Sequence, residues 1–410
     1  MLRATLEGPG LDLETFEPVP GRASLVARIQ GRDRSAPTLL LMGHTDVVPA
    51  NADGWDRDPF AAEMVDGEVW GRGAIDMLNL TASMAVATRR LARSGWRPKG
   101  SLVYLAVADE EALGTHGAQW LTSQAPDAVA ADYVLTESGG IPMPTPAGIK
   151  LPVIVGEKGN YWCRLTVGGT PGHASQPFRT DNAVVNAAEV VRRLAAYQPA
   201  ADIHDTWRRF VEGMGFPAEM AHQLLDPERI TDFCYELPVG LARQAHACTH
   251  TTIAPTIMHG GTKTNVIPDR VELELDIRTL PGQSGTEIRA MLDEALGDLV
   301  SKVTITNISD DPSTASPIET PLFDALRRVA SRLHPGAGLV PFFTVAATDA
   351  RFFRRLGIPS YGFGLFSERL TFEQYATMFH GDNERVDVES LGLSTELWQA
   401  LARDVLLNPA

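Results

Sequence analysis

The apolar run LLLMG at residues 39–43 ends abruptly in His44, Thr45 and Asp46. In an extended backbone residues i and i+2 face the same side, so the His44 imidazole and the Asp46 carboxylate can share one cavity. Further acidic groups follow apolar runs downstream: Asp76 in GRGAIDM, Glu110 and Glu111 in VADEEALG, and Glu137 in LTESGG. Left unpaired in one pocket of low dielectric, these carboxylates would repel one another strongly, so the set calls for a cation. Oxygen and imidazole ligands together fit zinc, cobalt or manganese better than calcium or magnesium. One catalytic ion needs about three protein ligands, so the surplus points to two ions that share a bridging carboxylate and clamp a hydrolytic water. A second imidazole is then required, and His380 in MFHGDNERV is the best candidate. Glu110 and Glu111, neighbours at an extended strand end, project in different directions, so one can bind metal while the other faces the water. Asp46 is expected to accept a hydrogen bond from the ring nitrogen of His44 that turns away from the metal, fixing the imidazole.

The elements that must position these groups can be read from periodicity. SLVARI and TLLLMGH read as strands, LTASMAVATRRLARSG as an amphipathic helix closed by Gly95, and SLVYLAVADEE and ADYVLTE as further strands. This β-α-β-α-β order predicts a mostly parallel sheet with helices on its faces, and such folds place their sites at the carboxyl ends of the strands. Near Gly156 the texture changes to long alternating stretches, YWCRLTVGG, TTIAPTIMHGG and NVIPDRVELELDIRTLP, which suit an antiparallel sheet with one solvated face. Helical patterns at 182–197 and 285–299 lie among them, and 198–250 reads as an irregular helical addition. After Asp310 the α/β texture returns. The expected organisation is therefore a discontinuous catalytic domain, 1–158 and 309–410, with a small α+β domain inserted at 159–308. Residues 145–152 and 310–317 are expected to be flexible crossings.

Composition narrows the function classes. The 410 residues carry 36 Lys and Arg against 51 Asp and Glu, a net charge of −15, so nucleic acid is not an expected partner. Three cysteines without CxxC spacing make neither a disulfide framework nor a structural zinc site, and a reducing cytoplasm is the natural location. No apolar span reaches membrane length, and the first twenty residues are acidic rather than signal-like, so no membrane association is expected. GGTKTN is not a phosphate loop, GRGAID is not a dinucleotide fingerprint, and no GxSxG marks a serine hydrolase.

Seven motifs in order, GHTDVVP, GRGAIDM, DEEALGTHGAQWL, TESGG, GTPGHAS, GGTKTNVIP and HGDNERV, resemble those of the dinuclear zinc amidohydrolases and peptidases. That family includes acetylornithine deacetylase, succinyl-diaminopimelate desuccinylase, aminoacylase and glutamate carboxypeptidase. The resemblance implies an α/β catalytic domain carrying a ferredoxin-like lid, and a homodimer formed through that lid. It implies two zinc ions per chain, replaceable by cobalt or manganese, one held by His44, Asp76 and Glu137 and the other by Asp76, Glu111 and His380, with Asp76 bridging. Glu110 would then be the general base. His173 would reach the partner subunit's site and, with Asn265, polarise the scissile carbonyl. Arg278 in LDIRTLP and Arg351 in ATDARFF are the candidates for gripping a free substrate carboxylate. The stretch ATDARFFRRLGIPSYGFG resembles the carboxypeptidase and aminoacylase branch, which implies N-acyl amino acids or peptide C-termini as substrates, with dipeptides the alternative class.

The resemblance has two departures. After Asp76-Met77 the family usually carries Lys-Gly-Gly, whereas this chain has Leu78-Asn79-Leu80, and the segment before Ser24 is short for such a protein. Both motivate a second reading, a catalytically silent member that binds a ligand or partner.

Overall fold

The computed structural model describes residues 1–8 and 10–407. In chain order its strands are β1 (Asp12–Phe16), β2 (Ser24–Ile29), β3 (Thr38–His44), β4 (Ser101–Val107), β5 (Tyr133–Thr136), β6 (Gly148–Glu157), β7 (Gly159–Gly168), β8 (Thr252–Gly260), β9 (Arg270–Thr279), β10 (Val303–Asp311), β11 (Gly338–Thr344) and β12 (Ser360–Gly362), with shorter pieces between them. The helices used below are α1 (Leu78–Arg93), α2 (Ala183–Ala196), α3 (Gly285–Leu296), α4 (Pro321–Leu333), α5 (Ala350–Arg354), α6 (Phe372–Met378) and α7 (Val388–Leu407).

A ten-stranded sheet runs β1-β2-β4-β3-β5-β12-β6, with β11 and the short pieces Met143–Thr145 and Thr314–Ala315 also on β6. The pairs β3–β4, β3–β5, β5–β12 and β6–β11 are parallel. β3 and β4 are almost wholly buried because both sheet faces are covered, which is why each reads as an unbroken apolar run instead of an alternating one. Helices α1 and α7 close one face through Leu80, Met84, Leu91, Leu397, Trp398 and Leu401. The Trp398 indole N–H donates to Ser83 Oγ at 3.0 Å and joins the two helices. Leu121 and Phe353 help to fill the opposite face.

The second sheet, β8-β9-β7-β10, is antiparallel throughout. β9 alternates buried and half-exposed along its length, and α2 and α3 pack on its buried side to give a separate apolar core. The helices Asp205–Met214, Ala218–Leu225, Ile230–Cys234 and Val239–Thr249 form a third cluster around Trp207 and Phe210 that rests on Val340 of β11.

The main sheet is mostly parallel, as expected, with β2 antiparallel to β4 toward one edge. Two expectations need correction. The stretch 145–152 is no flexible crossing: it enters the ten-residue strand β6, whose apolar residues pair with β11 on one side. Part of 310–317 is fixed as well, since Thr314 and Ala315 pair with Glu157 and Gly156. Both stretches carry Pro, and the first a Gly as well, which obscured strands whose evidence lies in distant partners. Among the described residues no helix is long and apolar enough to cross a membrane.

Candidate active site and metal centre

The carboxyl ends of the parallel strands deliver the chemistry. His44 is the last residue of β3, Glu137 directly follows β5, and Glu110 and Glu111 begin a one-turn 3-10 helix three residues after β4 ends. Asp76 precedes α1, and His380 follows α6. The 3-10 turn is not an extended strand end, as expected, but a reversal bracketed by Asp109 and Leu113, with φ of 77° and 72°. Such left-handed backbone is costly outside glycine and persists where surrounding contacts fix it.

Asp46 supplies one of those contacts: its Oδ1 accepts from Glu110 N–H at 3.3 Å and its Oδ2 from Glu111 N–H at 3.0 Å. The expected bond from His44 to this carboxylate is not made. His44 Nδ1 lies 2.9 Å from the Asp46 backbone carbonyl and 3.9 Å from its Oδ1. A main-chain acceptor orients the imidazole instead, leaving the carboxylate to hold the glutamate turn.

Asp76 stands between the two histidines. Its Oδ1 lies 3.0 Å from His44 Nε2 and its Oδ2 3.0 Å from His380 Nε2. Glu137 Oε2 is 3.6 Å from His44 Nε2, and Glu111 Oε2 is 3.5 Å from His380 Nε2. Ligand atoms of His44, Asp76 and Glu111, and likewise those of His44, Glu110 and Glu137, lie within 4.8 Å of one another. The donors fit a metal pair for a further reason: Glu111 Oε1 and Glu137 Oε1 are buried without a hydrogen-bond partner, which a coordinated cation would supply.

The electrostatics follow from this crowding. Burial works to raise the Asp76 pKa, but hydrogen bonds from His380 and His44 win and hold it at about 2. Burial alone would favour neutral His44, yet the carboxylates of Asp76 and Glu137 push its pKa well up. Glu137 is raised to about 7, chiefly by burial. Glu110 is likewise pushed well above the usual carboxylate range, by burial first and the Glu137 charge second.

Two buried carboxylates escaped the sequence reading. Glu384 is fully buried; its Oε1 accepts from Ile75 N–H at 2.6 Å and Asp76 N–H at 2.9 Å, and its Oε2 from Gly73 N–H and Arg72 Nη1, each at 2.9 Å. It therefore fixes the loop that presents Asp76. Asp349 is buried with neither oxygen hydrogen-bonded, and a Cβ at Gly114 would collide with it. Glu384 lay within the HGDNERV motif, but only its partners reveal what it holds.

The remaining candidates divide. Arg278 lines a cavity of about 360 Å³ together with Glu110 and Glu111. Its Nε and Nη2 donate to the Asp276 carboxylate at 2.7 and 3.1 Å, which orients the guanidinium and leaves the Nη1 end available. Arg351 also lines this cavity, but its guanidinium is committed: Nη1 donates to Thr348 O at 2.6 Å, Nη2 to Leu113 O at 2.8 Å, and Nε lies 2.9 Å from Asp311 Oδ2. These contacts brace the glutamate turn. His173 and Asn265 are exposed and adjacent on a two-stranded ribbon, where Ala174 N–H donates to Asn265 O at 3.1 Å. His173 Nδ1 lies 2.7 Å from Ser175 Oγ, and neither residue bonds to the metal-ligand cluster among the described residues.

Residues 40–404 match the model of peptidase family M20/M25/M40. An N-fatty-acyl-amino acid synthase/hydrolase of Xenopus tropicalis is 28% identical over 397 residues, covering 94% of this chain and 76% of that protein. An M20 family metallo-carboxypeptidase from Sulfolobus solfataricus superposes with a TM-score of 0.72 at 17% identity, over 99% of this chain and 92% of that one. A dinuclear metal-binding peptidase of the same family from Bacillus subtilis gives a TM-score of 0.62 at 15% identity, over 99% and 90%.

Proposed function

We propose, from the premise that the chain belongs to peptidase family M20/M25/M40 and is a hydrolase, that it cleaves an amide bond next to a free carboxylate, in an N-acyl amino acid or at a peptide C-terminus. The observation that carries this reading is Asp76, with one carboxylate oxygen toward each of two imidazoles and with Glu111 and Glu137 beside them. His44, Asp76 and Glu137 would hold one divalent ion and Asp76, Glu111 and His380 the other, zinc being our assignment. Bound there, such a pair would lower the pKa of a shared water and polarise the carbonyl. Glu110, half-buried beside the cluster and bound to no metal in this scheme, would take a proton from the attacking water and deliver it to the leaving nitrogen. Its raised pKa suits a carboxyl that must carry a proton between two partners. Arg278 takes the substrate carboxylate on its unoccupied end.

A homodimer is part of this proposal. His173 and Asn265 are exposed on the smaller unit, residues 159–308 in our division, and a second copy would bring them to the scissile carbonyl. The edge strand β8 supports such an interface, with Ile257 and Met258 exposed and its outer backbone unpaired within the sheet. Three buried, unpaired cysteines support the cytoplasm as the location. The silent, ligand-binding alternative is set aside, because family membership and the intact cluster fit catalysis.

The test combines metal analysis with turnover. Protein loaded with zinc, cobalt or manganese should hold about two ions per chain and hydrolyse N-acetyl amino acids, and dialysis against a chelator should remove both properties together. Hydrolysis undiminished after complete metal removal would sink the reading.

A further inference from the structure

Lys158 lies at the crossing from β6 to β7, and its buried ammonium reaches three oxygens of the chain that closes the helical addition. Nζ donates to Ala247 O at 2.9 Å, His250 O at 2.7 Å and Thr252 Oγ1 at 3.3 Å. We propose that Lys158 is a positioning residue for recognition of the substrate carboxylate: it pins the end of the helical addition against the strands on either side of Arg278, and so fixes the backbone that aims the guanidinium. The inference rests on the hydrolase reading above, with Arg278 as the partner of the carboxylate, and deepens it.

The strand register carries the argument. β9 lies between β7 and β8, and Arg278 on it pairs with Asn160 of β7 on one side and with Thr252 of β8 on the other. Lys158 stands two residues before Asn160, and it bonds to Thr252 and to the carbonyl two residues before Thr252. One ammonium thus ties together the two neighbours of Arg278 at the strand ends. β9 is held there as well, because Gln283 Oε1 accepts from Thr251 Oγ1 at 2.6 Å and from Leu280 N–H at 2.8 Å. Little slack remains: a Cβ at Gly159 would collide with Thr279 Oγ1 and Ser313 N. A shift at residue 158 therefore passes into the register around Arg278.

Chemistry explains the choice of lysine. Ala247 O and His250 O are carbonyls at the C-terminal end of the helix Val239–Thr249, where the helix dipole favours a cation. Taking an ammonium out of water costs more than burying a methionine of similar length, so packing alone does not call for lysine here. Lys158 is also near enough to Asp276 and Arg278 to feel both charges. Asp276 holds Nε and Nη2 of Arg278, so the aim of the free Nη1 follows the local path of β9. The helical addition, which supplies none of the proposed metal ligands, acquires by this route a part in substrate recognition.

The test compares N-acetylalanine with N-acetylalaninamide on the metal-loaded protein, the ratio of their kcat/KM values measuring preference for the carboxylate. Arg278→Met should lower that preference by about 10- to 100-fold, as loss of a hydrogen bond to a charged group does. Lys158→Met should lower it by about fivefold or more, through KM for the acid and not through kcat, and the double variant should fall no further than Arg278→Met alone. Because the ratio compares two substrates on the same molecules, it does not depend on how much of a variant folds. Thr252→Val, which removes one acceptor, should lower the preference by about twofold or more, and it decides the matter if Lys158→Met yields no folded protein. Unchanged preference in the deciding variant, or losses that multiply in the double variant, overturns the inference while leaving the hydrolase. Unchanged preference in Arg278→Met overturns the carboxylate role of Arg278 and the inference with it. If the wild type turns over neither compound, calorimetry with the same two compounds reads the preference as a ratio of Kd values. The same pattern of losses then supports the inference and overturns the hydrolase, and any other pattern overturns both.

Discussion

The two carboxylate oxygens of Asp76 point to different histidines, Oδ1 to His44 Nε2 and Oδ2 to His380 Nε2, each across 3.0 Å. A single side chain thus joins two ligand groups that the sequence separates by more than three hundred residues. The arrangement predicts unequal losses. Asp76→Ala should abolish both ions, whereas His380→Ala should keep about one per chain, because His44 and Glu137 remain on the other side. Elemental analysis after gel filtration measures this. In Asp76→Ala turnover should fall by more than about 10²-fold, beyond the loss usual for a residue that merely supports a ligand. Two ions retained in that variant would contradict the bridging role.

Glu110 and Glu111 are sequence neighbours with opposite assignments, which makes them separable by measurement. Glu110→Gln should lower kcat by on the order of 10² to 10⁴-fold while leaving the metal content unchanged. Glu111→Gln should weaken metal binding on the His380 side, where its Oε2 lies 3.5 Å from the imidazole. Equal metal loss in both variants would show that Glu110 is a ligand rather than a base.

Behind the cluster, Glu384 satisfies three backbone N–H groups and the Arg72 guanidinium from a fully buried position. Glu384→Ala would leave Arg72 buried at 7% exposure without its 2.9 Å partner, and should cost about 3 to 5 kcal/mol in chemical denaturation. Glu384→Gln retains the shape and should lose less stability, yet bind metal about 10- to 100-fold more weakly because the Asp76 loop is held less firmly. Unaltered metal affinity in a folded Gln variant would limit Glu384 to a structural role.

Lys158 offers a pH-dependent prediction away from the metals. It lies buried between β6 and β7, its Nζ donating to Ala247 O at 2.9 Å, His250 O at 2.7 Å and Thr252 Oγ1 at 3.3 Å. Burial pulls its pKa down to about 7. Because the folded value lies below the unfolded one, the unfolded chain binds more protons between about pH 7 and the ordinary lysine range, and stability rises with pH across that window. Below about pH 7 the ammonium is buried in full and its penalty is constant. Thermal unfolding of the wild type should therefore gain on Lys158→Met as pH increases from about 7 to 9. Parallel curves would show that the lysine keeps its ordinary affinity for the proton.

Much of the site was readable before any coordinates. His44, Asp76, Glu110, Glu111 and Glu137 stand out because apolar runs stop at groups that no core would bury without a cation, and His380 is the second imidazole that this set requires. β3 and β4 are equally plain, since a strand covered on both faces must be apolar throughout. What tertiary structure decided are relations between segments. Asp46 reaches the Glu110 and Glu111 amides instead of the His44 ring, and Arg351 turns to Leu113 and Thr348. Glu384 acquires its meaning only from a loop more than three hundred residues away. β6 likewise becomes a strand by pairing with β11 and β12, although its own stretch of Pro and Gly argues otherwise. Residue type and periodicity record whether a side chain will be buried and what it can bind, because those follow from its own chemistry. Which partner it meets depends on the path of the whole chain, and no local pattern carries that path.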